Sequence, residues 1–344
     1  TDLAGNLVNV FTGAPETFKL SIPVAPHPVM VIGPGTISQR NYAITQGAVA
    51  DGSVCNTTPT TAPAGEADAI EVSSNTVSAR IPLGKCPVYA VPSSDNKRLF
   101  VLNRGSDTIT VINSQNNTLD ACTPFQNQNG QTVTCHPSLP LSTAAGLSGA
   151  NVPAVAGPVY AEYNIATSQL IVADYDGGTI SVIDVSLDEF GNDSPTFGTT
   201  FTIPVGNNPA SVTVLYDGSR AYTANQTDQT VTVVNLSSHS VEKTVAVTGH
   251  PRTVVSTQNS LYGKVYVASP DSPYLTILRT DQDIVDTTVL VQGNILDVRV
   301  STQNAVSGNA INTSRKPGFG QPCYLPGATA AASYTRCTTL PTAP

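Results

Sequence analysis

The sequence predicts an all-β protein: a single β-propeller of four-stranded blades, most simply six, with seven as the alternative. Three observations carry this prediction. A strand–turn–strand motif centred on Gly and Pro recurs along the chain. Between its copies the same order of short strands repeats, each alternating Val, Ile or Thr with polar residues. No long stripe of helical period interrupts them.

The motif copies are SIPVAPHPVMVI (21–32), IPLGKCPVYAV (81–91), AVAGPVYAEY (154–163), IPVGNNPASVTV (203–214), VAVTGHPRTVV (245–255) and VLVQGNILDVRV (289–300). Their anchors are Pro28, Pro87, Pro158, Pro209, Pro251 and Ile295. The last three stand 42 and 44 residues apart, the period of a four-stranded blade; the earlier periods carry insertions. After each anchor strand comes a second strand: KRLFVLN (97–103), SQLIVADY (168–175), SRAYTANQ (219–226) and GKVYVASP (263–270). A polar turn leads to a third: DTITVIN (107–113), GTISVIDV (178–185), QTVTVVNL (229–236) and YLTILRT (274–280). A fourth closes the unit, as in HSVEKTVAVTG (239–249) and DIVDTTVLVQG (283–293). The ends are incomplete. Residues 6–11 and 17–24 give two strands before the first anchor, and 295–302 with 308–313 give two after the last. Pairing the two ends makes the sixth blade and removes the open edges. A seventh blade would have to lie within the 114–157 insertion.

These residues resemble the YVTN-type β-propeller repeat, best in Gly206–Gly249, where NNP, YDGSRAYTANQ and TVTVVN follow in order. The resemblance spans about 300 residues and implies an architecture rather than an activity. Some propellers of related repeat are lactonases or redox enzymes; their catalytic residues do not map onto this chain. The expected domains are a propeller over 1–314 and a C-terminal extension over 315–344.

Of 344 residues only 12% are charged, about half the usual share, while 40% are apolar. Ser, Thr, Asn and Gln fill the difference, at about a third of the chain. A net charge of −8 excludes a nucleic-acid binder, which needs clustered Lys and Arg. No apolar run is long enough for a spanning helix. Six cysteines lie at wide spacing without any C-x-x-C pair, which points to disulfides in an oxidising compartment. Cys122 and Cys135 close a short loop, and Cys323 and Cys337 lie together in the tail. Cys55, between the second and third strands of a blade, is left for Cys86 in the turn leaving it. Location is therefore expected to be secreted or cell-surface, with the periplasm as alternative.

Chemistry-bearing residues are sparse. His27 and His250 occupy matching turns before anchor prolines, and Asp184, Asp188 and Glu189 lie in DVSLDEFGND (184–193). These five are the candidate metal ligands, by imidazole and by hard oxygen respectively. The plainer reading is turn residues, since the D-x-D-x-D-G pattern is absent. No G-x-S-x-G elbow occurs. N-x-S/T triplets make Asn56, Asn116, Asn192, Asn225, Asn235 and Asn312 glycan acceptor candidates. The composition favours a non-enzymatic extracellular propeller acting as a structural or interaction protein, with self-assembly into a surface layer or filament as its expected form, protein partners that include copies of itself, and no cofactor. The alternatives are a lactonase-like or metal-dependent redox enzyme using the channel, and a glycan- or protein-recognition module.

Overall fold

The computed structural model describes residues 1–12, 17–33, 39–47, 55, 58–141, 155–257 and 263–299. Among these, a hairpin of β1 (Leu7–Phe11) and β2 (Phe18–Pro23) precedes five antiparallel blades in chain order. The first blade is β3 (Pro28–Ile32), β4 (Arg40–Thr45), β5 (Ala64–Glu71) and β6 (Thr76–Lys85). The second runs β7 (Pro87–Pro92), β8 (Arg98–Asn103) and β9 (Thr108–Asn113). Its outer position is shared by two short pieces, β10 (Thr118–Leu119) and β13 (Ser138–Pro140), with the small hairpin β11 (Phe125–Gln126) and β12 (Thr132–Val133) between them. The third is β14 (Pro158–Asn164), β15 (Gln169–Asp174), β16 (Thr179–Asp184) and β17 (Thr200–Pro204). The fourth is β18 (Pro209–Val214), β19 (Arg220–Asn225), β20 (Thr230–Asn235) and β21 (Ser240–Ala246). The fifth is β22 (Thr253–Ser256), β23 (Lys264–Ala268), β24 (Tyr274–Arg279) and β25 (Ile284–Leu290).

The first strands of consecutive blades lie side by side, β3 against β7, β7 against β14, β14 against β18 and β18 against β22. Blades therefore stack face to face, and each middle strand is covered on both faces. This explains the second strands' apolar runs. In β8, Leu99 and Val101 pack on the first blade while Phe100 and Leu102 pack on the third. All six residues of β8 are buried. The outer strands are half solvated, so β21 reads polar at Glu242, Lys243 and Thr244.

The repeat has a chemical reason. Each anchor proline pairs with the last residue of the following strand: Pro87 with Asn103, Pro158 with Asp174, Pro209 with Asn225. That last side chain turns inward and binds two hydroxyls of the third strand. Asn103 Nδ2 donates to Thr108 Oγ1 (3.2 Å) and Thr110 Oγ1 (2.9 Å), and Asn225 Nδ2 donates to Thr230 Oγ1 (3.0 Å) and Thr232 Oγ1 (2.8 Å). The motif glycines make room for it: a Cβ on Gly206 would stand 2.7 Å from the Asn225 side chain, and one on Gly84 2.8 Å from Asn103. Gly206→Ala is therefore expected to cost about 1–3 kcal/mol through overpacking. An unchanged urea midpoint would show that the asparagine can step aside.

A second repeated contact ties blade to blade. Tyr42 Oη donates to Asn117 Oδ1 (2.6 Å), and Tyr222 Oη donates to Asp283 Oδ1. In both, the first residue of the four-residue signature (Tyr42–Thr45, Tyr222–Asn225) reaches the third-to-fourth-strand turn of the next blade. The accepting residue there has positive φ, 54° at Asn117 and 52° at Asp283, a conformation Asn and Asp tolerate.

Two expectations are corrected. Residues 295–299 form no strand; Ile295 and Val298 instead pack against Ala268, Leu275 and Ile277 of the fifth blade. The described part of the 114–157 insertion makes no further four-stranded sheet, because β13 completes the second blade's outer edge. The expected pairing of β1 with the C-terminal end, the strand at 308–313 and the 314/315 boundary lie outside the described residues; within them β1 pairs with β2 alone.

Candidate functional site

The first strands of the second to fifth blades, with the turns beside them, line an open cavity of about 690 Å³ on the inner, axial side of the blades. Its wall comprises Tyr89 on β7, Tyr160 on β14, Ser211 on β18 and Thr253 on β22. The rim comes from turns that follow second strands, with Arg104, Tyr175 and Gln226, and from Arg252, Asp297 and Arg299. Three of the chain's ten arginines thus converge on one opening of an acidic protein.

The three differ in what they already hold. Arg104 forms a two-pronged pair with Asp176 (Nε–Oδ2 2.9 Å, Nη2–Oδ1 2.8 Å) and lies 5.2 Å over the Tyr175 ring. The Asp176 hydrogen bonds hold its guanidinium above the usual arginine range. Arg299 pairs with Asp297 at 2.7 Å. Arg252 makes no ion pair among the described residues, and it is exposed. The Tyr89 and Tyr160 rings lie against each other, centroids 4.6 Å apart and planes tilted by 31°. Burial raises both phenols, Tyr160 to about 12, so neither ionises near neutrality. Tyr175 Oη donates to Gln226 Oε1 (3.0 Å). Such a site can bind and orient; its guanidinium and phenol groups do not exchange protons near neutral pH.

Two of the three expected disulfides are present, Cys55–Cys86 and Cys122–Cys135. The Cys323 and Cys337 pair lies outside the described residues. Cys55–Cys86 borders the axial rim, where Arg104 Nη1 donates to the Cys55 carbonyl at 3.5 Å. Cys122–Cys135 closes the base of the excursion between β10 and β13. Removing it by Cys122→Ser with Cys135→Ser is expected to cost about 2–3 kcal/mol, as for a loop of this size. Denaturation with and without reductant checks this: the variant should match the reduced parent.

The five metal candidates do not gather: His27 and His250 lie in separate turns, Asp184 ends β16, and Asp188 and Glu189 are neighbours in the turn that follows. His27 Nδ1 contacts the Gly47 carbonyl at 2.7 Å, while His250 Nδ1 contacts Asp271 Oδ2 at 2.6 Å. Asp188 accepts the backbone N–H groups of Phe190 (2.9 Å) and Asn192 (2.8 Å), and these bonds hold its carboxyl below the usual range. Asp184 accepts Ser186 N–H (2.8 Å), and Glu189 accepts Asn129 Nδ2 (2.7 Å). Among the described residues no three His, Cys, Asp or Glu side chains gather as a metal site.

Of the glycan acceptors, Asn225 is corrected. It is fully buried and its amide is spent on Thr230 and Thr232, so the folded chain offers no attachment point there. Asn116 is exposed. Asn192 and Asn235 are half-buried, their amides bonded to Asp188 and Glu242. Asn56 and Asn312 lie outside the described residues.

A buried charge cluster escaped the sequence reading. Arg98 Nε binds Asp120 Oδ2 at 2.8 Å, and its Nη2 stands 3.5 Å from Asp193 Oδ1. Asp193 Oδ2 also meets His136 Nδ1 at 2.7 Å, and the His136 ring stacks on Phe197. Asp120 and His136 flank Cys122 and Cys135 in sequence, so the cluster pins the foot of the excursion between the second and third blades.

No family model and no curated protein matches the chain. Among solved structures it is similar to the dihydro-heme d1 dehydrogenase NirN, at 11% identity and TM-score 0.58, covering 88% of this chain and 55% of that one. It is also similar to a 6-phosphogluconolactonase-like protein of Bacteroides fragilis, at 13% and 0.53, covering 85% and 78%. Kluyveromyces lactis Hsv2 follows at 9% and 0.50, covering 84% and 77%. The chain spans little more than half the length of NirN. These likenesses show the fold, a propeller of antiparallel four-stranded blades.

Proposed function

We propose that the chain is an extracellular six-bladed propeller of YVTN type that works as a recognition module rather than an enzyme, binding its ligand at the axial mouth. One observation carries this reading: the converging side chains at the axis are three arginines and three tyrosines, groups suited to hold a ligand rather than to shuttle its protons. Asp297, the carboxylate on the rim, is engaged by Arg299. A secreted or periplasmic location is supported by the two disulfides.

Six blades are supported by the hairpin β1–β2, whose Val8 and Ile22 bury against Ala43 and Ile70 of the first blade. It stands where the outer half of a sixth blade would stand. Tyr266, the fifth blade's equivalent of Tyr42 and Tyr222, would then find its turn in that blade.

Purified full-length protein tested three ways decides the function. The reading expects saturable ligand binding at the axis, no turnover in a lactone- and ester-hydrolysis screen, and no order of self-association in light scattering. Turnover abolished by rim substitutions would establish the enzyme alternative. Ordered polymers in electron micrographs, with the rim substitutions silent, would establish the structural one.

A further inference from the structure

We propose that the axial cavity selects a small organic carboxylate, with Arg252 holding the anion and the Tyr89–Tyr160 pair holding an aromatic or other planar body. This rests on the reading of the axial mouth as a recognition site and adds the ligand's class.

Arg104 and Arg299 are each matched by an aspartate, Asp176 and Asp297, at 2.7–2.9 Å. Arg252 carries the one cation of the rim that is not compensated among the described residues. It follows Pro251 at the entry to β22, so its backbone is fixed by the anchor turn: its N–H donates to the Ala268 carbonyl at 2.9 Å. A guanidinium presents a planar fork that matches the two oxygens of a carboxylate, whereas a neutral ligand would leave it unpaired.

The body of the ligand is set by the wall. Tyr89 and Tyr160 offer a continuous aromatic surface, and Val159, Ala210 and Leu296 add apolar area beside it. The Tyr89 hydroxyl is buried and makes no hydrogen bond of good geometry. It faces the Tyr160 hydroxyl in a poorly aligned contact, and an incoming oxygen acceptor would give it a better-aligned partner. The cavity's size is that of pockets for drug-sized molecules rather than for a bare inorganic ion. Ring, carboxylate and one further oxygen are therefore the features the site reads.

Benzoate is the first probe, titrated into the full-length protein by calorimetry, with benzamide and inorganic phosphate as comparators. Benzoate is expected to bind, benzamide at least tenfold more weakly, and phosphate at least tenfold more weakly. Arg252→Gln should weaken benzoate at least tenfold while leaving the melting temperature unchanged, because Arg252 is exposed. 4-Hydroxybenzoate is expected to bind more tightly than benzoate, and Tyr89→Phe should remove that preference. A tripeptide Gly-Gly-Phe with free or amidated C-terminus separates the two sources of such a group. Binding of the free form in place of benzoate assigns a chain end, and the reverse assigns a free acid; both retain the carboxylate. Benzoate binding unaffected by Arg252→Gln overturns the proposal, as does phosphate binding as tightly as benzoate. Binding of neutral ligands alone at the axis overturns the carboxylate class and leaves the recognition reading standing, whereas hydrolysis at the axis overturns that reading itself.

Discussion

Replacing Asp174 by Asn is expected to stabilise the protein by about 2–4 kcal/mol at pH 8 and by almost nothing at pH 4. Asp174 ends β15 at the position where the neighbouring blades carry Asn103 and Asn225. It is fully buried and accepts Ser181 Oγ (2.7 Å) and Thr179 Oγ1 (3.2 Å) through Oδ2, while Oδ1 has no partner. Burial pushes its carboxyl up to about 7, against the pull of the two hydroxyls. The unfolded chain ionises this group near pH 4, and the folded chain keeps it protonated until about 7. Stability is therefore fully present below pH 4 and falls as pH rises to 7. Asparagine carries no charge and can bind the same hydroxyls as its sister residues do. Thermal melts of both proteins across pH 4–8 measure the effect. A gap that stays constant with pH would show that ionisation is not its source.

Arg98→Met is expected to cost about 3–5 kcal/mol at neutral pH. Arg98 is buried between Asp120 and Asp193, and its removal leaves two buried carboxylates facing each other. Burial already raises the Asp120 carboxyl, with Asp193 adding to the rise and Arg98 opposing it. Without the guanidinium the Asp120 carboxyl is driven further toward protonation, so the loss should shrink as pH falls toward 4. The variant Arg98→Met with Asp120→Asn and Asp193→Asn should recover most of the stability, since replacing a whole buried ion cluster is far milder than breaking it. The 121–137 excursion should also become sensitive to limited proteolysis in the single variant. A loss under about 1 kcal/mol at pH 7 would show that water or rearrangement compensates the charges.

The blades were legible because one strand signature recurs and its anchors do fixed work. Pro28, Pro87, Pro158 and Pro209 each begin an innermost strand, and Pro251 stands two residues before β22. Ile295 resembled them only in hydrophobic pattern; with neither the proline nor a partnering Asn, it packs as a side chain without joining a sheet. Asn225 shows the opposite failure. A three-residue acceptor pattern is local, whereas burial depends on the inward turn of the strand end. The repeat itself held the correction, since Asn225 and Asn103 align. The axial site was hidden because Arg104, Arg252 and Arg299 look unrelated in sequence; only the side-by-side packing of the blades' first strands brings their different segments together. The Arg98 cluster left one readable trace, an acid two residues before Cys122 and a histidine directly after Cys135.

The divided outer edge of the second blade makes that blade a natural grafting point. β10 meets β9 at Ile112 and Asn113, and β13 meets it at Thr108 to Thr110, so the chain leaves and re-enters the ladder within a strand's width. Cys122–Cys135 and the Arg98 cluster then clamp the stem. A foreign sequence exchanged for residues 124–133 would inherit a fixed base at any length, as a cassette on a rigid mount. The propeller's own registers would not have to change to carry it.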